Sequence, residues 1–336
     1  MPKNDKPVLA ILGGEKGCKR LAQDFYARVA KSAELKPLFP GKSVRCATEE
    51  FSAFLIQFLE GDEDQTQYRW WLSLRESHAR FKISATQRAT WLALMGETID
   101  SLFDDPEVRK ALKQFFGSTS GYVIGNGEAS VDNSELADRW TKQRALDQLI
   151  DDLASDRDEE AIALAWQFSS RPSVMVGIFA RMIETERAAL IAFVLENIVR
   201  GSDITTSRFN GRTLLHFACS NACLPVVEKL LDCGVDPNIL DNGGHSPLYR
   251  AASSNKSPQA EAVIHALIRA GARVNESGGV NRATALHQAA RFGNVGAART
   301  LIELGANVNV KDSRGVTPLA RAINCRRHEV AALLRG

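Results

Sequence analysis

Apolar positions in the first third of the chain recur at helical spacing. Leu21, Phe25 and Val29 share one face, and Phe51, Phe54, Leu55 and Phe58 fall at offsets 0, 3, 4 and 7. Residues 84–87, running from Ser84 to Gln87, have the form of a capping box, in which the two side chains satisfy each other's backbone donors. They predict a helix that turns Trp91, Leu94, Met95, Ile99 and Leu102 inward. Asp105, Pro106 and Glu107 predict another, with proline in the first turn and Leu112, Phe115 and Phe116 inside. About five helices in residues 1–116 make a compact helical domain. From Gly117 to Asn133 the composition turns to Gly, Ser and Asn, which predicts a linker. The stretch from Asp151 to Glu160 then carries six acids, as a solvated helix start would. Helical spacing resumes over 161–168, 174–183 and 188–199.

After residue 200 one hexapeptide is written four times, as TLLHFA from Thr213, SPLYRA from Ser246, TALHQA from Thr284 and TPLARA from Thr317, at intervals of 33, 38 and 33. Thr or Ser caps a first helix, proline at 247 and 318 suits its first turn, and the following Leu enters the core. Gly234, Gly271 and Gly305 stand where a second helix must stop in a left-handed residue. This pattern resembles the ankyrin repeat. The 38-residue interval places four extra residues near Ser253–Pro258 and one in the next hairpin, both on the surface. His216 and His287, fourth in their hexapeptides, are expected to hydrogen-bond at the helix start. The last repeat acts as the C-terminal cap, and helices over 161–200 supply the opposite one, since Gly201 precedes Thr213 by 12 residues.

Composition narrows the class. The chain has 336 residues, of which 44% are hydrophobic and 24% charged, as in soluble globular proteins. Its net charge of +2 predicts neither nucleic acid nor an anionic membrane as partner. No apolar run approaches the ~20 residues of a bilayer span, and no secretory signal opens the chain, so the cytoplasm is expected. The six cysteines lack zinc-ligand spacing and are expected to be buried free thiols.

The chemistry lies in the first domain. His78 is the sole histidine of the first 200 residues. Gly13 and Gly14 precede a helix bearing Phe25 and Tyr26; Phe39 and Pro40 come 13 residues after Tyr26, His78 to Phe81 begin 39 after Phe39, and Trp91 stands 13 after His78. That layout resembles a truncated globin of the second group, a short two-over-two haem protein, over nearly all of residues 7–116. The expected fold is therefore all-α: a truncated globin at 1–116, a glycine-rich linker at 117–133, a helical region capping the array at 134–204 and an ankyrin solenoid at 205–336.

The resemblance implies haem b, with His78 ligating the iron and Phe39, Phe51, Phe54 and Phe81 in contact with the macrocycle. It implies Tyr26, Trp91 and Ala47 on the distal side, Tyr26 and Trp91 as hydrogen-bond donors to a bound gas and Ala47 leaving a side entrance. The chain departs from the family pattern at Phe39, often a tyrosine, and at Arg80, commonly a proline. It also has Glu50 and Ser77 where basic residues usually meet the haem propionates; Arg75, Arg80 or Lys82 could substitute. The run from Gly13 to Gly17 lacks the ending of a phosphate loop and is expected to be a tight turn.

These features imply a haem protein that reversibly binds a diatomic gas (dioxygen, nitric oxide or carbon monoxide) and docks a protein partner on its ankyrin surface. One alternative is a haem enzyme, a nitric oxide dioxygenase or a peroxidase, localised by its repeats; it would need an external reductase, because no flavin or nicotinamide fingerprint is present. Another is a scaffold whose globin part no longer binds haem.

Overall fold

In the computed structural model, which describes residues 8–39, 43–59, 78, 83–123, 134–254 and 259–335, the apolar stripes of the first third become helix faces on one core. The chain divides into two units, Met1–Ser155 and Asp156–Gly336.

The first unit holds α1 (Val8–Leu12), α2 (Gly14–Val29), a short 3-10 turn (Lys36–Leu38), α3 (Ser43–Leu59), α4 (Ala85–Leu102), α5 (Pro106–Val123) and α6 (Ser134–Ala154). Gly13 and Gly14 take φ of 87° and 69° to make the tight turn between α1 and α2. Helix α4 opens on the expected capping box: Ser84 Oγ accepts from the Gln87 N–H at 3.1 Å while Gln87 Oε1 accepts from the Ser84 N–H at 2.9 Å. Asp105 Oδ1 accepts from the Glu107 N–H at 2.9 Å at the start of α5. Helix α2 packs on α3 and α4, and α4 on α5. Polar ties fix these pairs, Arg28 to Glu97 at 3.4 Å and Arg88 to Ser120 Oγ and the Gly117 carbonyl at 3.1 and 2.9 Å.

The linker expected at 117–133 is corrected at its start, while its end agrees with a helix that begins at Ser134. Residues 117–123 are the last turns of α5, because the stripe of Leu112, Phe115, Phe116 and Thr119 continues to Tyr122. Residues 134–154 form α6, which lies in the first unit and whose Trp140 is buried in this core, with its ring 5.1 Å from Tyr122 and 6.4 Å from Phe115. The acidic stretch also divides. Asp158, Glu159 and Glu160 do occupy the first turn of a helix, but Asp152 is buried at the end of α6 and accepts from Gln148 Nε2 at 2.7 Å.

The second unit begins with α7 (Asp158–Ala165), α8 (Pro172–Glu184) and α9 (Ala188–Asn197). Four helix pairs follow: α10 (Leu214–Ser220) with α11 (Leu224–Asp232), α12 (Pro247–Ala251) with α13 (Gln259–Arg269), α14 (Ala285–Phe292) with α15 (Val295–Glu303), and α16 (Pro318–Asn324) with α17 (His328–Leu333). First helices stack in one layer and second helices in another, and α8 and α9 continue the two layers. Glu186, between α8 and α9, has the positive φ found at the matching turn positions Ala222, Gly293 and Arg326. Gly201, at φ 76°, matches Gly234, Gly271 and Gly305. The array thus starts one helix pair before residue 205.

Hairpins join the pairs, and each is tied to the next. The Asn242 N–H donates to the Gly211 carbonyl at 2.9 Å, Gly279 to Gly244 at 2.9 Å, and Ser313 to Asn281 at 2.8 Å. The hairpin with the extra residue pairs β1 (Ser277–Gly278) with β2 (Ala283–Thr284) and leaves Val280 96% exposed. The other insertion, at 255–258, lies outside the described residues. Of the cysteines, Cys18, Cys219 and Cys223 are buried as expected, but Cys46 is exposed and Cys233 and Cys325 are half-buried.

Candidate functional site

Neighbouring residues on a helix point about 100° apart. Helix α2 therefore sends Phe25 into the core, fully buried, and leaves Tyr26 half-buried on its flank. The Phe25 ring stands 5.0 Å from both Tyr26 and Trp91, edge to face with each. From α3, Phe51 lies 5.9 Å from Phe25, 6.0 Å from Tyr26 and 6.4 Å from Trp91, and stacks on Phe54 at 6.5 Å. Phe39, just after the 3-10 turn, sets its ring across Tyr26 at 5.6 Å and 84°. Edge-to-face pairs of this kind add roughly 0.5–1.5 kcal/mol each beyond burial, so the cluster is held by its own geometry.

The structure thus brings Tyr26, Phe39, Phe51, Phe54 and Trp91 together. Ala47 is half-buried one turn before Phe51 on α3. His78 has helical backbone and is half-buried, six residues before the Ser84 cap. Phe81 lies outside the described residues, as do Arg75, Ser77, Arg80 and Lys82. Two rings that sequence reasoning had placed only in the core complete the cluster: Phe25, and Phe116, which lies 5.9 Å from both Phe51 and Trp91. Helical periodicity marks such residues as inward but does not say which rings meet.

Tyr26, Phe39, Phe51 and Trp91 all back onto the buried core yet keep part of their surface. They form an apolar, ring-lined patch of the kind a flat macrocycle covers. Burial pushes the Tyr26 hydroxyl well above its ordinary pKa, and since a tyrosine is protonated at neutral pH in any case, the hydroxyl is available as a donor. A haem needs apolar walls, one axial nitrogen and, for a bound gas, a donor in a dry place. The ring patch and the Tyr26 hydroxyl fit the apolar walls and the donor that such a group needs.

In the array, His216 and His287 have the structural role their position implies. Each Nδ1 faces the backbone N–H and hydroxyl of its cap residue, Thr213 at 3.3 and 2.8 Å and Thr284 at 3.2 and 2.9 Å. Each Nε2 meets a carbonyl of the next hairpin, His245 at 3.1 Å and Val316 at 2.9 Å. Asp241 and Asp312 are buried in two hairpins and pair with Arg250 and Arg321. Burial alone would raise the Asp241 carboxyl, but the His245 backbone N–H and the Arg250 guanidinium outweigh it and hold it down at about 2.

Comparison with known proteins agrees with both halves. Residues 8–123 match the bacterial-like globin family, and residues 186–277 and 257–336 match the family described as ankyrin repeats (3 copies). Over 116 residues, 34% of this chain and 87% of the relative, the chain is 30% identical to group 2 truncated hemoglobin YjbI of Bacillus subtilis (strain 168). Over 94 residues it is 45% identical to SH3 and multiple ankyrin repeat domains protein 2 of Homo sapiens, covering 28% of this chain and 5% of that one. Over 143 residues it is 33% identical to ankyrin repeat and SOCS box protein 16 of Homo sapiens, covering 40% and 31%. The chain spans less than a third of the length of these two ankyrin-bearing relatives. By its first unit the chain belongs to the group 2 truncated haemoglobins, and its second unit makes it one that carries ankyrin repeats.

Proposed function

We propose that the globin unit binds haem b through His78 and holds dioxygen, nitric oxide or carbon monoxide on the other side, while the ankyrin array docks a protein partner, making the chain a gas-responsive adaptor of the cytoplasm. The observation that carries this reading is the half-buried ring patch around Tyr26, which brings a hydroxyl donor among apolar rings. When bound, the haem iron supplies the coordination position that a gas takes up. The chain supplies the rest. His78 would hold the iron from a helical backbone, and Phe39, Phe51, Phe54 and Phe81 would give apolar contact. Phe25 and Phe116 hold Phe51 and Trp91 in place from behind. Tyr26 and the Trp91 indole act as donors, and Ala47 leaves room for entry.

The test is the absorption spectrum of the ferrous protein with and without dioxygen, for wild type and His78→Ala. The expected result is loss or collapse of the haem bands in the variant. An unchanged spectrum would remove His78 as the ligand.

A further inference from the structure

The whole-chain charge conceals a strong sorting. Residues 205–336 carry sixteen lysines and arginines against nine aspartates and glutamates, a formal +7, which leaves residues 1–204 at −5. Within the array the acids lie mainly on the second helices and the turns after them, such as Glu228, Asp232, Glu261 and Glu303. The hairpins and first helices (206–221, 239–254, 277–292 and 310–325) hold eight basic residues and two acids, Asp241 and Asp312. Both acids are buried and already paired with arginines. Arg212, Arg282, Arg291, Lys311 and Arg314 make no ion pair among the described residues.

The cations on this layer are close enough to act together. Guanidiniums from three successive first helices, Arg250, Arg291 and Arg321, all act on the buried Tyr249 hydroxyl. Burial, and next the Arg250 charge, depress the pKa of Arg212. Apolar groups stand among them. Phe292 is 47% exposed with the Arg291 guanidinium 5.4 Å from its ring, and Val280 projects from its hairpin. Cations without a carboxylate partner, two of them (Arg212 and Arg291) lying over the rings of Phe217 and Phe292, stand beside exposed apolar groups and call for a ligand with carboxylates and apolar side chains in one strand. A phosphate-sugar backbone offers nothing to Val280, and although a base could stack on Phe292, the aliphatic tip favours a peptide.

We propose that the hairpin and first-helix face binds an extended acidic segment of a partner protein, its carboxylates meeting Arg212, Arg291 and Arg314 and an apolar side chain seated on Phe292. This names the chemistry of the partner and rests on the reading of the array as a docking surface. The sites are exposed or half-buried side chains on a rigid layer, so charge reversal there leaves the fold intact.

The experiment uses the full chain and fluorescein-labelled peptides of about twelve residues built from alternating glutamate and leucine, with glutamine in place of glutamate as the neutral control. A thymidylate oligonucleotide of the same length tests the nucleic-acid alternative. The glutamate peptide is expected to bind with an affinity that falls as salt rises, and Arg291→Glu with Arg314→Glu to weaken it by about tenfold or more. Arg269→Glu with Arg299→Glu, on the second helices, leaves it unchanged, and Phe292→Ser weakens both peptides. Equal binding of the two peptides, untouched by the face reversal, overturns the acidic partner while docking survives. Binding of no peptide at all removes both, and tighter binding of the oligonucleotide replaces the partner class.

Discussion

Replacing His216 by glutamine should turn a pH-sensitive joint of the array into an indifferent one. The ring is fully buried and uses both nitrogens in its neutral form, Nδ1 accepting from Thr213 and Nε2–H donating to the His245 carbonyl. Burial lowers its pKa from 6.5 to about 4, and the bond to His245 offsets only part of that. Above 6.5 neither the folded nor the unfolded chain protonates the ring, so its contribution is complete. Between 6.5 and about 4 the unfolded chain takes up a proton that the folded one refuses, and stability falls through that window and levels off below it. The gap corresponds to about 3 kcal/mol.

Glutamine at this position can still accept from the cap N–H, as in an ordinary capping box, and does not titrate. At pH 7 the variant should be less stable by about 1 kcal/mol for the weakened bond to His245. At pH 4 the order should reverse, with the variant ahead by about 2 kcal/mol. Urea unfolding followed by circular dichroism, repeated from pH 7 to pH 4 on both proteins, measures the difference with the globin unit common to each. The depressed carboxyl of Asp241 does not intrude, because its contribution is present above 3.8 and is lost only as pH falls toward 2. A difference between the proteins that is the same at both ends of the range would refute the buried neutral imidazole.

Two further substitutions probe the globin unit. Tyr26→Phe removes one donor from the site and should speed dioxygen release roughly ten- to a hundredfold in stopped-flow displacement with the haem bands retained; a rate within about twofold of wild type would take Tyr26 out of the site. Gly17→Ala would set a Cβ 1.5 Å from the Leu12 carbonyl oxygen, so α1 must part from α2. Thermal melting should show the globin unit destabilised by about 2 kcal/mol or more, and an unchanged midpoint would deny the close approach.

Where one physical demand controlled a residue, the sequence was legible. Ser84 with Gln87, Asp105 before Pro106, and the capped hexapeptides each answer a helix end that needs its donors satisfied, and each appears as expected. The segment after Gly117 was misleading because two demands compete there. Glycine disfavours a helix by about 1 kcal/mol per residue, which suggested a linker. Against it stand Tyr122 packed on Trp140 and Arg88 bonded to Ser120 and the Gly117 carbonyl. Tertiary contacts won, and only the continued spacing from Leu112 to Tyr122 recorded that in advance. The pair α8 and α9 was legible as a cap, through Gly201, but not as a repeat: it stacks like one yet lacks the hexapeptide, and the left-handed turn at Glu186 shows only in the structure.

Charge was the least legible property, because a sum over the chain answers a question no partner asks. A net of +2 gives no reason to expect a charged ligand. Yet a ligand at Arg291 is influenced mainly by charges within a Debye length, about 8–10 Å at physiological salt, and charges beyond that are largely screened. Within the hairpins and first helices the two carboxylates are already spent on Arg250 and Arg321. The remaining charge of that layer is therefore that of arginines and a lysine without carboxylate partners among the described residues. Sorting the charges by helix layer requires knowing which residues begin each repeat, and the hexapeptide supplies that register. Counted by repeat position instead of by chain, the charges mark this cationic layer in the sequence itself.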